Sequence, residues 1–134
     1  MKLRIFDIGG SPENRGLGFK ACPNPKAIIF VVDYTADQHA IQESREEFQE
    51  IVTYYYDIKT EANPNYPPLL ILANKIDLVD EPSELHVASI LGFQGQAFIK
   101  IPHKIMLVSA KTNAGIREGF RWLVQTFLAS DSGM

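Results

Sequence analysis

Three short, almost wholly apolar runs separate longer segments with helical periodicity, and this alternation restricts the fold more than any other feature. The runs are "AIIFVVD" (27–33), "LLILAN" (69–74) and "KIMLVS" (104–109). A strand with one face in water alternates apolar and polar residues, whereas a strand covered on both faces does not. All three runs therefore read as strands of a parallel sheet with helices on both faces. A fourth run, "LRIFDI" (3–8), alternates weakly and reads as a strand nearer an edge.

The intervening segments predict helices. From Asp37 to about Tyr56, Ile41, Ser44, Phe48, Ile51, Val52 and Tyr55 fall on one stripe, with Glu43, Arg45, Glu46, Glu47 and Glu50 off it. Thr35, with Gln38 three residues later, resembles a capping box at the start of this helix. A shorter helix is predicted over 82–91, with Pro82 near its first position. A third is predicted over 113–128, with Ile116, Phe120, Leu123, Val124 and Phe127 on its apolar stripe. "EANPNYPP" (61–68) reads as a loop by its Pro and Asn content. The order of elements implies an α/β three-layer sandwich with a parallel sheet and right-handed crossovers. About four strands and three to four helices are expected, in one domain spanning 1–134.

Composition narrows the function classes. A net charge of −3 offers no electrostatic footprint for nucleic acid. The single cysteine, Cys22, cannot form an internal disulfide, fits a reducing compartment and reads as a packing residue. No apolar stretch approaches the ~18 residues of a membrane span, and neither end carries a lipidation signal. A soluble cytoplasmic domain without a membrane anchor is expected. His39, His86 and His103 are dispersed and match no metal-binding spacing. Tyr54-Tyr55-Tyr56 reads as a helix end with Tyr55 packed inward, or as a partner-binding patch.

In parallel α/β sheets, ligands bind beyond the carboxyl ends of the strands. Here three strand ends carry polar or glycine-rich residues: Asp7-Ile8-Gly9-Gly10, Asn74-Lys75-Ile76-Asp77 and Ser109-Ala110-Lys111. Taken singly, each is a turn, a helix cap or a solvated loop. Their order, spacing and common rim point together to a ligand.

With those residues in view, the chain resembles the small GTPases, and within them the Arf-like branch. "FDIGG" is similar to the Arf form of the third GTPase motif, and "AIIFVVDYTA" to the strand that follows it. "LLILANKIDL" resembles the fourth motif, Asn-Lys-x-Asp, and "VSAKTNAGIREGFRWL" the fifth motif with its helix. The resemblance covers residues 3 to about 128. It implies a P-loop GTPase-like fold that binds GTP or GDP with Mg²⁺ and engages effector or scaffold proteins.

Residue by residue, it implies that Asp77 accepts hydrogen bonds from the N–H groups of guanine, a donor pair that adenine lacks. Lys75 would lay its stem over the base and Asn74 would tie neighbouring loops. Ala110 would offer its backbone N–H to the guanine carbonyl oxygen, with Ser109 and Lys111 shaping the turn. Asp7 would hold Mg²⁺ through water, and the Gly10 N–H would meet the terminal phosphate.

Two departures change what is expected. The family's phosphate cradle, G-x-x-x-x-G-K-[ST], is absent, since no Gly is followed by Lys. The family's first two strands, first helix and first switch loop also lack counterparts, so the domain is expected to be incomplete on its amino-terminal side. Second, Ser11 stands where active members generally carry the Gln that orients the attacking water. Impaired hydrolysis is expected, and a nucleotide-free interaction module remains the alternative. Arg15 falls in the family's mobile segment after the third motif, facing partners or merely solvent. Without the family's first strand, the runs at 3–8 and 27–33 lose a common neighbour. A four-stranded core, and self-association or poor solubility, are expected in consequence.

Overall fold

The computed structural model describes residues 24–56, 66–93 and 101–132. Its elements are β1 (Ile28–Asp33), α1 (Gln38–Tyr55), β2 (Leu69–Asn74), a single 3₁₀ turn (Ile76–Leu78), α2 (Glu84–Leu91), β3 (His103–Leu107) and α3 (Ile116–Ser132). Among the described residues the sheet has three strands in the order β1-β2-β3, parallel throughout. The expected fold class, an α/β sandwich with a parallel sheet, is the observed one. The expected strand at 3–8 lies outside the described residues.

Helices lie on both faces of the sheet. Phe48 and Val52 of α1 and Val87 and Leu91 of α2 pack with Phe30, Val32, Leu69, Ile71 and Ala73. On the opposite face Leu123, Ile116 and Trp122 of α3 pack with Leu70 and Leu72. β2 therefore sits in the middle of both layers, and residues 69–73 are all buried. Its unbroken apolar sequence is what a central parallel strand requires.

β1 departs from expectation. Its inward residues Phe30 and Val32 are buried, but Ile29 is 38% and Val31 59% exposed. On that face α3 packs mainly on β2 and β3. A second difference lies in α3 itself. Gly119, not a large residue, faces the sheet: a Cβ there would sit 3.3 Å from both Leu72 Cδ2 and Met106 Cγ. Ile116 and Leu123 of the predicted stripe reach the sheet, whereas Phe120 and Val124 line a shallow outer groove with Arg117, Arg121 and Gln125.

Local signals explain the helix ends. α1 is capped by Asp37, whose carboxylate accepts from the Ala40 N–H at 2.9 Å. The expected Thr35–Gln38 box does not form, because Thr35 is bound elsewhere: its N–H and hydroxyl both donate to Asp33 Oδ1, at 2.8 and 2.7 Å. Ser83 caps α2, so Pro82 precedes the cap rather than following it. The tyrosine run also differs from expectation. Tyr56 is the buried one, at 2% exposure, and its hydroxyl donates to the Pro67 carbonyl at 2.6 Å. Tyr55 is partly buried against the core, and Tyr54 is half exposed. Burial holds the Tyr56 phenol well above the ordinary tyrosine range.

Candidate functional site

The site grows out of the carboxyl end of β2. Register pairs Asp33 of β1 with Asn74 of β2, so two polar side chains begin the rim side by side. The next residue, Lys75, adopts the left-handed conformation (φ 75, ψ 27). That conformation costs a residue with a Cβ roughly 1–2 kcal/mol, and such strain collects at functional sites. Here it reverses the chain into the 3₁₀ turn that carries Asp77, and the turn is tied down by the Ile76 N–H donating to the Val108 carbonyl at 3.2 Å.

The loop after β3 is built to meet it. The Val108 N–H donates to the Ala73 carbonyl at 2.8 Å and extends the sheet pairing past the end of β3. Ser109 is buried, at 1% exposure, and its hydroxyl both donates and accepts. It donates to Asp77 Oδ1 at 2.9 Å and accepts from the Thr112 N–H at 3.1 Å. Among the described residues no donor reaches the second Asp77 oxygen. The Ala110 N–H donates to Asn74 Oδ1 at 2.9 Å, so Asn74 does link the two loops. Behind them Gly115 (φ 77) closes the loop, where a Cβ would lie 2.4 Å from the Leu107 carbonyl oxygen. Only glycine fits that approach.

Asn74, Lys75, Asp77, Leu78, Ala110 and Lys111 together line an open cleft of about 330 Å³. This is near the lower limit of small-molecule sites, ~300–1,000 Å³. Six residues expected at the site, Asn74, Lys75, Asp77, Ser109, Ala110 and Lys111, thus converge on one rim. Asp7 and Gly10 lie outside the described residues, as does Ser11. Among the described residues no cluster of three acidic, His or Cys side chains could hold a metal.

The sequence reading missed three contributors. Leu78, 66% exposed, forms an apolar wall of the cleft. Asp33 forms an ion pair with Lys75, Oδ2 to Nζ at 2.8 Å. The Lys75 hydrogen bond, helped by Thr35, holds the Asp33 carboxyl below its usual range against a smaller desolvation effect. The available signal for Asp33 was its position at the end of an apolar run, like the other rim residues. Tyr34 is the third: its hydroxyl accepts from the Ser83 N–H at 3.0 Å and docks the start of α2 against the rim.

A helix-covered parallel sheet with Asn-Lys-x-Asp and Ser-Ala-Lys turns meeting at one rim is the architecture of a small GTPase domain. The sequence profile of the ADP-ribosylation factor family matches residues 1–127, and the chain belongs to that family. ADP-ribosylation factor-like protein 3 of Chlamydomonas reinhardtii is 32% identical over 123 residues, which cover 92% of this chain and 64% of that protein. ADP-ribosylation factor-like protein 13B of the same organism is 30% identical over 131 residues, covering 93% of this chain and 23% of that protein. The chain thus spans less than two thirds of these relatives. Among solved structures, the Arl6 BBS3 small GTPase of Trypanosoma brucei with bound nucleotide analogue GppNp superposes with a TM-score of 0.75 at 29% identity. That match covers 93% of this chain and 72% of the other.

Proposed function

We propose that this chain holds the guanine base of GTP or GDP in the rim cleft and hydrolyses nucleotide poorly. The observation that carries the reading is the treatment of Asp77. Ser109 fastens one carboxylate oxygen, and Asp77 lines the cleft with no donor among the described residues on its second oxygen. A carboxylate fixed in this way presents acceptors to the N1–H and N2–H donors of guanine, and adenine has no such pair. The Lys75 stem and Leu78 supply apolar surface for the base. Ala110 supplies a backbone donor for the base carbonyl, which would have to share it with Asn74 or displace Asn74. Ser11 in the position of the water-orienting Gln supports slow hydrolysis.

Affinity follows from the same inventory. A few hydrogen bonds at about 0.5–1.5 kcal/mol each must offset an ordering cost of several kcal/mol. A dissociation constant weaker than about 100 μM is expected for the chain alone. The test is titration of the labelled full chain with GDP and ADP, read from backbone amide shifts at Ala110 and Lys111. Asp77→Asn should move the preference from guanine towards xanthine nucleotides, because the new amide donates where the carboxylate accepted. An unchanged guanine preference in that variant would reduce Asp77 to a loop residue.

A second reading, a nucleotide-free module that binds effector or scaffold proteins, is favoured by the exposed Ile29 and Val31 on β1. It predicts no GDP-dependent shift at the rim.

A further inference from the structure

The Asp33–Lys75 pair is more organised than an incidental surface contact. One Asp33 oxygen is held by two donors from Thr35, the N–H at 2.8 Å and the hydroxyl at 2.7 Å. The other oxygen is thereby aimed at Lys75 Nζ, 2.8 Å away. Asp33 is the last residue of β1, and Lys75 follows Asn74, the register partner of Asp33 at the end of the neighbouring β2. Lys75 thus lines the cleft while its ammonium reaches back to Asp33 at the end of β1. Both partners are well exposed, 50% for Lys75 and 37% for Asp33. Pairs of that kind contribute little to fold stability, so stability does not account for a strained backbone at Lys75.

Preorganisation does. A free lysine is among the side chains that lose most conformational freedom on being ordered. A lysine already pinned by its ammonium has lost much of that freedom before any ligand arrives, which leaves more of the contact energy to appear as affinity. We infer that Asp33 is a positioning residue for a guanine base, acting through Lys75: it anchors the ammonium so that the aliphatic stem stands as a ready wall of the cleft. The inference rests on the guanine-binding reading above. Asp33 itself touches no ligand.

The test is a double-mutant cycle on the full chain with GDP and Mg²⁺, read by amide shifts. Asp33→Asn keeps the shape and an acceptor for Thr35 but removes the charge. Lys75→Met keeps the stem but removes the ammonium. Each should weaken GDP binding by about two- to fivefold, the range of an exposed pair, with little change in melting temperature. The double variant should bind no more weakly than Lys75→Met alone. Unchanged affinity in Asp33→Asn would overturn the inference while leaving guanine binding intact. So would a loss that persists undiminished in the Lys75→Met background, because Asp33 would then act by another route. Should Asp33→Asn fail to fold, Lys75→Met decides alone, and full GDP affinity in it would overturn the inference. A wild-type chain that shows no shift at millimolar GDP removes the guanine reading and this inference together.

Discussion

Replacing Ser109 by Ala probes the tie between the two rim loops. The side chain is 1% exposed and takes part in two hydrogen bonds, to Asp77 Oδ1 at 2.9 Å and from the Thr112 N–H at 3.1 Å. Asp77 is exposed, so its carboxylate regains water and the net loss there is small. The Thr112 N–H loses an acceptor in a partly buried turn, where water is a poorer replacement. Together these predict a destabilisation of about 1–2.5 kcal/mol. At roughly 3–5 °C per kcal/mol for a chain of this size, the melting temperature should fall by roughly 3–13 °C. Urea unfolding measures it directly, because Trp122 is the single tryptophan and packs beside Leu70 and Leu72. The same substitution in an Asp77→Ala background should cost about 0.5–1 kcal/mol less, since one of the two bonds is already gone. A loss below about 0.5 kcal/mol at unchanged urea slope would refute the reasoning and leave Ser109 as mere filling.

Two further outcomes follow from the geometry. Gly115→Ala forces a Cβ to within 2.4 Å of the Leu107 carbonyl oxygen at φ 77, so a destabilisation of about 2–4 kcal/mol is expected in the same urea assay, with Ala110 and Lys111 amide shifts displaced. Tyr56→Phe should cost about 1–2 kcal/mol by stranding the Pro67 carbonyl. Because burial raises the Tyr56 phenol above its ordinary value of 10.0, its contribution is complete below that pH and is lost as pH rises beyond it, when the unfolded chain ionises first. Stability curves of the wild type should therefore fall more steeply above pH 10 than those of Tyr56→Phe, and parallel curves would contradict the assignment.

What could be read from the sequence depended on whether the relevant neighbours were close along the chain. β2 was legible because a strand flanked by strands and covered by helices leaves no polar position, and 69–73 has none. The same logic overreached for β1, whose apolar Ile29 and Val31 stay exposed beside a helix that sits over other strands. In α3 the apolar stripe was visible, but the close approach of the small Gly119 to Leu72 and Met106 was not. At α1 the capping-box pattern pointed to Thr35, but Thr35 is bound to Asp33 and Asp37 caps the helix instead. The rim residues Asn74, Lys75, Asp77, Ser109, Ala110 and Lys111 were legible as motifs. The links among them were not: Asp33 meets Lys75 across 42 residues, and Ser109 meets Asp77 across 32. Contacts of that span depend on register, which apolar patterning alone does not specify.

The central position of β2 has a kinetic consequence. Its amides are bonded within a sheet flanked by β1 and β3 and shielded by helices above and below. Strands of this kind exchange their amide hydrogens only when the whole domain opens. The turn bearing Lys75 and Asp77 leaves directly from that strand, so its root is held in the slowest-exchanging part of the sheet. Ile71 lies in the middle of that strand, fully buried. An Ile71→Val change, touching none of the cleft residues, should shorten exchange lifetimes along β2, while the amides of the exposed turn, which open locally, respond less.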